Sequence, residues 1–218
     1  MSNLAEVLVK SVESPEYGFY ENCFLVFRKG ATNCVVIDPG FNAAGILEAL
    51  EAQSLSPVAI LCTHGHLDHV FGVVELKKKW PDCPVYIGRL DADKLTDPKG
   101  NMSESFGIPF CVPAADRLLD DGDVVEAAGL KFQVWFVPGH SAGHVAYVLD
   151  ANDSELIFSG DVLFSGGIGR SDFYDGNGAT LIRSIRERIF SAPESAIVYC
   201  GHGPSTTVGR EKIYNPYV

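Results

Sequence analysis

A chain of 218 residues with 46% hydrophobic and 21% charged residues has the composition of a soluble globular protein, and at this size roughly 70–75% of the unfolded surface is buried without a disulfide staple. Its net charge of −11 opposes a polyanionic partner, because nucleic-acid binders present a basic face. No run approaches the roughly 18–20 apolar residues of a membrane span, and residues 1–10 lack the basic-then-apolar pattern of a signal peptide, so a cytoplasmic protein with neither nucleic-acid nor membrane partners is expected.

In chain order, residues 23–28 and 33–37 read as two strands joined by the turn Lys29-Gly30-Ala31-Thr32. Asp38-Pro39-Gly40 stops the second strand, and Asn42 caps a helix with Ile46, Leu47 and Leu50 at helical spacing. Residues 57–62 predict a buried strand that delivers the run Thr63-His64-Gly65-His66-Leu67-Asp68-His69. Residues 70–80 predict a helix ended by Pro81, and 85–87 a short strand. The stretch 91–115, rich in Asp, Pro and Gly, reads as a surface connection with a helical piece that walls a cleft. Strand patterns return over 123–126, 130–137, 144–149 and 155–159. Residues 179–189 predict a helix with Leu181, Ile182, Ile185 and Ile189 on its inner face; 198–200 is a last core strand, and the tail 208–218 starts with a helical turn. Two strand-rich halves, each followed by helices with no low-complexity linker between them, predict one α/β domain over 1–218 in which two sheets pack face to face with helices outside.

The run at 63–69 places three imidazoles and a carboxylate within seven consecutive residues. Packing requires nothing of the kind, and burying these groups without partners costs several kcal/mol. Imidazole and carboxylate together point to a divalent metal. The remaining histidines, His140, His144 and His202, and Asp161 stand in or beside glycine turns at the ends of predicted strands, where a sharp turn aims the next side chain into a shared cleft. The six cysteines (23, 34, 62, 83, 111 and 200) form no CxxC pair, which predicts reduced, buried thiols in a reducing compartment. Cys62 and Cys200 precede ligand motifs, and strand packing is the expected role of both.

These residues resemble the metallo-β-lactamase fold superfamily, whose signature is an H-x-H-x-D-H run followed by a later His, a later Asp and a final His: here His64, His66, Asp68, His69, His140, Asp161 and His202. The segments Pro138-Gly139-His140-Ser141-Ala142-Gly143-His144, Ser159-Gly160-Asp161-Val162-Leu163-Phe164, Gly169-Arg170-Ser171-Asp172 and Cys200-Gly201-His202-Gly203 resemble the glyoxalase II-like branch of small bacterial hydrolases (hydroxyacylglutathione hydrolase-like). The resemblance implies a four-layer αβ/βα sandwich of two mixed β-sheets with outer helices. It implies one or two Zn2+ ions, with Fe2+ or Mn2+ as alternatives. His64, His66 and His140 then hold the first ion, Asp68, His69 and His202 the second, and Asp161 bridges them. It further implies thioester hydrolysis, as of S-D-lactoylglutathione, by a metal-bound hydroxide, with a small-molecule thioester or glutathione conjugate as partner. Two departures stand out. β-Lactamases of this fold typically place Cys or Ser where this chain has Asp161, which speaks against antibiotic hydrolysis. Glyoxalase II proper carries a C-terminal helical domain that helps hold glutathione, whereas sixteen residues follow His202 here.

A thiolate leaving group, with a thiol pKa of about 8.5, suits a site without a dedicated general acid, and Asp68 is a candidate to orient the attacking water. His144, not matched to a ligand, is expected to be structural. Thr63 and Asp38 are candidates to orient ligands or simply to end strands. Gly166-Gly167-Ile168-Gly169 lacks the Lys-Ser/Thr of a phosphate loop and reads as a flexible wall. Arg170 is a candidate for a substrate carboxylate, with an ion pair to Asp172 as the alternative. Phe173, Tyr174 and Phe19 are candidates to line the cleft. A mononuclear iron dioxygenase acting on glutathione persulfide, with His64, His140 and Asp161 as its facial triad, is the competing enzyme class. A nuclease and a non-catalytic metal module are weaker readings.

Overall fold

The computed structural model describes residues 6–151 and 154–218; residues 1–5, part of the segment read for a signal peptide, lie outside it. The first sheet comprises β1 (Val7–Ser14), β2 (Glu21–Arg28), β3 (Asn33–Ile37), β4 (Ser56–Cys62), β5 (Val85–Gly88) and β6 (Arg117–Leu119), side by side in that order. β1 to β3 pair antiparallel and β3 to β6 parallel. The second sheet takes β7 (Val124–Ala127), β8 (Leu130–Phe136), β9 (Val145–Ala151) and β10 (Ser154–Gly160). A two-stranded ribbon, β11 (Leu163–Phe164) and β12 (Gly167–Ile168), follows, and then β13 (Ile197–Cys200) and β14 (Thr206–Thr207) complete the second sheet in the order β14-β13-β10-β9-β8-β7. The described residues form five α-helices: α1 (Ala43–Ala52), α2 (Leu67–Val70), α3 (Val73–Lys79), α4 (Gly178–Glu187) and α5 (Val208–Tyr214).

The alternation of side chains along each strand sorts the apolar residues into layers. Along β3 and β4, Val35, Ile37, Ala59 and Leu61 face the second sheet, where they meet Phe132, Val134, Tyr147 and Phe158. Their neighbours Cys34, Val36, Ile60 and Cys62 face the opposite way and pack with Ile46 and Leu50 of α1 and Val73 and Leu76 of α3. Ala146, Val148, Ile157 and Val198 of the second sheet point outward onto Leu181 and Ile185 of α4 and Val208 of α5. The architecture is therefore helix, sheet, sheet, helix, with both sheets mixed, as the sequence predicts. All six cysteines are free, and five are buried in these layers; Cys111 is exposed, contrary to expectation, because it lies in the irregular connection before β6.

Several elements differ from the sequence reading. β1 was not anticipated: Val-Leu-Val-Lys-Ser-Val-Glu-Ser does not alternate cleanly, and it is an edge strand paired only with β2. The helix expected over 70–80 is two pieces, α2 and α3, because Gly72 N–H donates to Pro39 O at 2.8 Å instead of continuing the helical ladder. Within 91–115 the regular part is a 3-10 stretch, Arg89–Thr96. The supposed flexible wall at 166–169 is the ordered β11–β12 ribbon, held by Gly166 N–H to Glu211 Oε2 and Asn215 Nδ2 to Gly167 O, each 2.9 Å. No helix among the described residues is long and apolar enough to cross a membrane.

Strand direction determines where function collects. β8 and β10 both run antiparallel to β9, and β13 runs parallel to β10. The C-terminal ends of β8, β10 and β13 therefore share one rim, and they lead into His140, Asp161 and His202. β4 ends against the same rim: Val145 N–H donates to Thr63 O at 2.9 Å, and Tyr147 Oη–H to Cys62 O at 2.8 Å.

Candidate metal centre

The seven sequence-predicted ligands converge. Donor atoms of His64, His66 and His140 lie within 4.8 Å of one another, as do those of His64, His69 and Asp161, and of Asp68, His69 and His202. His140 Nε2 is 2.9 Å from His66 Nδ1 and 3.2 Å from His64 Nε2. Asp161 Oδ1 lies 3.3 Å from His69 Nε2, and Asp161 Oδ2 lies 3.3 Å from His202 Nε2 and 3.7 Å from His140 Nε2. Asp161 thus stands between the two halves of the cluster. Asp68 Oδ2 is 3.3 Å from His202 Nε2.

The imidazoles are aimed from behind. His69 Nδ1 meets Asp38 Oδ2 at 3.1 Å, His140 Nδ1 meets the Arg170 carbonyl at 2.8 Å, and His202 Nδ1 meets the Phe19 carbonyl at 2.8 Å. Acceptors at Nδ1 place the proton there and leave the Nε2 lone pairs facing inward. Asp38, at φ +48°, also accepts from Thr63 N–H and Thr63 Oγ1–H, both at 2.7 Å. Thr63 Oγ1 in turn lies 3.1 Å from His64 Nδ1. The Phe19 carbonyl reaches His202 from a strained segment in which Tyr17 and Tyr20 both have positive φ. His144 takes no place in the cluster: its Nε2 accepts from Asp161 N–H at 3.2 Å, and its ring stacks on that of His64. Gly160, the last residue of β10, has φ +49°, and a Cβ there would meet Thr63 Oγ1 at 2.3 Å.

The donor set fits a divalent cation. Asp161 Oδ1 is buried with no hydrogen bond to it, and His66 turns Nδ1 into the cluster, 2.9 Å from His140 Nε2. The inward nitrogens of His64 and His140, and of His69 and His202, face each other at 3.2–3.3 Å, an arrangement in which at most one of each pair donates. Burial pushes His64 and His66 well below the ordinary histidine range, leaving neutral rings ready to ligate. Burial also pushes His202 down, but the Asp161 carboxylate outweighs it and lifts the ring to about 10. Burial would raise Asp161; His202 and His69 instead hold it well below the carboxylate range. The carboxylates thus create a region that attracts positive charge.

Sequence reasoning missed the support beneath this cluster. Asp91, fully buried, accepts from Gly65 N–H (3.0 Å), Ser141 Oγ–H (2.8 Å), Gly143 N–H (2.7 Å) and Lys94 Nζ (3.0 Å). It clamps the 64–66 loop to the 140–143 loop. Lys94 also pairs with Asp175 at 2.7 Å. Glu21, buried with neither carboxylate oxygen hydrogen-bonded and driven well up by burial, lies at the β2 end that bridges to His202.

A cavity of about 270 Å³ opens onto the cluster, lined by Phe19, Met102, Phe106, Phe164, Ile168 and Phe173, together with Arg170 and several of the ligands. Phe19 and Phe173 thus stand where the sequence reading put them. Tyr174 does not: it is exposed and stands over Lys94, whose Nζ is 5.8 Å from the ring centroid, because the Lys94–Asp175 pair anchors the chain beside it away from the cavity. Arg170 reaches the cavity and is also bound to Asp172 by two hydrogen bonds of 2.9 Å.

The sequence matches the metallo-beta-lactamase superfamily over residues 17–202. The chain belongs to that superfamily. It is similar to the probable metallo-hydrolase YqgX of Bacillus subtilis, 39% identical over 85% of this chain and 87% of the relative. It is likewise similar to the hydroxyacylglutathione hydrolase GloC of Haemophilus influenzae, 35% identical over 94% and 95%. Among solved structures, BLEG-1, described as a B3 metallo-beta-lactamase, superposes with a TM-score of 0.89 at 34% identity over 96% of this chain and 99% of that one. TTHA1623 in a di-iron-bound form gives 0.82 at 34% over 96% and 100%. ETHE1 from Myxococcus xanthus gives 0.75 at 25% over 96% and 83%. The family and the buried His/Asp cluster together make this a metallo-hydrolase of the superfamily with a site for a divalent metal.

Proposed function

We propose that the protein is a metal-dependent thioester hydrolase, acting on small-molecule thioesters such as S-D-lactoylglutathione, in the cytoplasm. One observation carries the reading: Asp161 lies 3.3–3.7 Å from His69, His202 and His140, between the His64–His66–His140 and Asp68–His69–His202 groups and beside an apolar cavity. His64, His66 and His140 would hold one ion and Asp68, His69 and His202 a second, with Asp161 common to both. Zinc suits the donors, and Fe2+ or Mn2+ are the alternatives. A divalent ion bound there supplies a water ionised near neutral pH and polarises the acyl carbonyl.

The chain's own groups do the rest. Asp38 and the carbonyls of Phe19 and Arg170 hold three imidazoles in one orientation. Asp68, within reach of His202, orients the attacking water. The ring of aromatic side chains excludes bulk water, which strengthens every charge interaction inside. The thiolate, as a good leaving group, needs no strong acid. Six free thiols are in keeping with a reducing cytoplasm.

The test is thioester turnover and metal content measured on the same preparation, with a His66→Ala variant. Loss of both in the variant is expected; unchanged turnover would overturn the assignment. A mononuclear iron persulfide dioxygenase is the second reading, favoured by the approach of His140 Nε2 to His64 Nε2 and Asp161 Oδ2. Iron with persulfide-dependent oxygen uptake, and no thioesterase activity, would select it. The likeness to BLEG-1 places β-lactams in the same substrate panel.

A further inference from the structure

We propose that this site selects thioesters with an apolar acyl group and an uncharged thiol half, and that glutathione conjugates are its poorer substrates; the inference rests on the thioester-hydrolase reading. The cavity over the cluster is lined by Phe164 and Ile168 of the β11–β12 ribbon, by Phe173, whose ring packs on His66 and His140, and by Phe19, Met102 and Phe106. A second space of about 480 Å³ shares Phe19, Phe106 and Arg170 with it and is also lined by Tyr17, Gly18 and Ile108. A thioester with its carbonyl at the metal cluster therefore meets mainly aromatic and aliphatic walls.

The charge count argues the same way. Glutathione retains two carboxylates when its sulfur is acylated. Among the described residues the two spaces share one lysine or arginine, Arg170. Its guanidinium already meets Asp172 with two hydrogen bonds of 2.9 Å and sits 4.6 Å from the Phe173 ring centroid. That ion pair is exposed and weak, so Arg170 is free to turn. One guanidinium still does not serve two carboxylates, and Asp172 remains beside it. Lys94, the next cation toward His66, is buried and engaged by Asp91 and Asp175. Within a chain of net charge −11, a thiol half with two carboxylates and a single ammonium, net −1, finds little to hold its carboxylates, whereas a phenyl ring or branched alkyl group meets apolar wall.

Four substrates test this: D-lactoyl and phenylacetyl thioesters of glutathione and of N-acetylcysteamine. Each kcat/KM is divided by the compound's hydroxide-catalysed rate. Phenylacetyl-N-acetylcysteamine is expected to exceed S-D-lactoylglutathione by at least about tenfold, the discrimination an apolar pocket gives for a few buried carbons; any smaller ratio overturns the inference. Phe106→Ser, at a half-exposed position, is expected to shrink the phenylacetyl-over-lactoyl preference by about five- to tenfold, and an unaltered preference overturns it. A drop of more than about tenfold for the glutathione substrates in Arg170→Ala would show that Arg170 reads a carboxylate, which also overturns it. If all four thioesters are inert with metal fully loaded, the thioesterase reading itself fails, an outcome distinct from reversed selectivity.

Discussion

Four donors converge on the Asp91 carboxylate, and three of them belong to the loops that carry His64, His66 and His140. Removing that carboxylate leaves the buried Lys94 with Asp175 as its one acid partner and leaves three donors without their acceptor. Asp91→Ala is therefore expected to cost about 3–5 kcal/mol of stability in urea denaturation, the range for breaking a buried pair. Asp91→Asn, which keeps the shape but loses the charge, is expected to weaken metal binding about 10–100-fold in a chelator competition. The cysteines give a second residue-scale prediction. Burial lifts Cys34 and Cys200 to about 12 and Cys83 to about 11, and holds Cys23 and Cys62 well above the ordinary thiol range. Cys111 alone is exposed. A thiol reagent at pH 8 should label one thiol in the native protein and all six after unfolding; rapid labelling of more would contradict the packing. The ligands were legible because a dense run of polar rings has no packing explanation. Asp91 was not, because its partners lie 26, 50 and 52 residues away and a single Asp in an Asp-rich loop carries no local mark.

At the scale of elements, parallel pairing of β10 with β13 brings Gly160-Asp161 beside Cys200-Gly201-His202. A Cβ at Gly201 would meet Asp161 Oδ1 at 2.3 Å and His69 Cε1 at 2.9 Å. Gly201→Ala is therefore expected to displace Asp161 and to lower metal content and turnover together, while circular dichroism stays that of the native fold. Full metal occupancy in this variant would mean that Asp161 is not a shared ligand. Most strands and both long helices were legible from period, and the cap read at Asn42 is present, its Oδ1 accepting Gly45 N–H at 2.9 Å; the matching cap at Asn177, whose Oδ1 accepts Thr180 N–H at 2.9 Å, was not read. The short elements were not. β6, β11, β12 and β14 hold two or three residues each, too few to show a period, and the break between α2 and α3 is imposed from outside by Pro39 O.

For the whole molecule, the ligands come from both sheets, and we propose that residues 1–218 work as one domain whose fold and metal site stabilise each other. A ligand at 100 times its Kd adds about 2.7 kcal/mol to the folded state, which for a chain of this length corresponds to about 5–10 °C in Tm. Chelation should lower Tm by that order, and one equivalent of Zn2+ or Fe2+ should restore part of it. The most direct measurement is an anomalous-difference map from crystals of catalytically active protein. Peaks inside the His64–His66–His140 and Asp68–His69–His202 groups, with Asp161 touching both, are the predicted result. Active crystals with no anomalous scatterer at these side chains would contradict it.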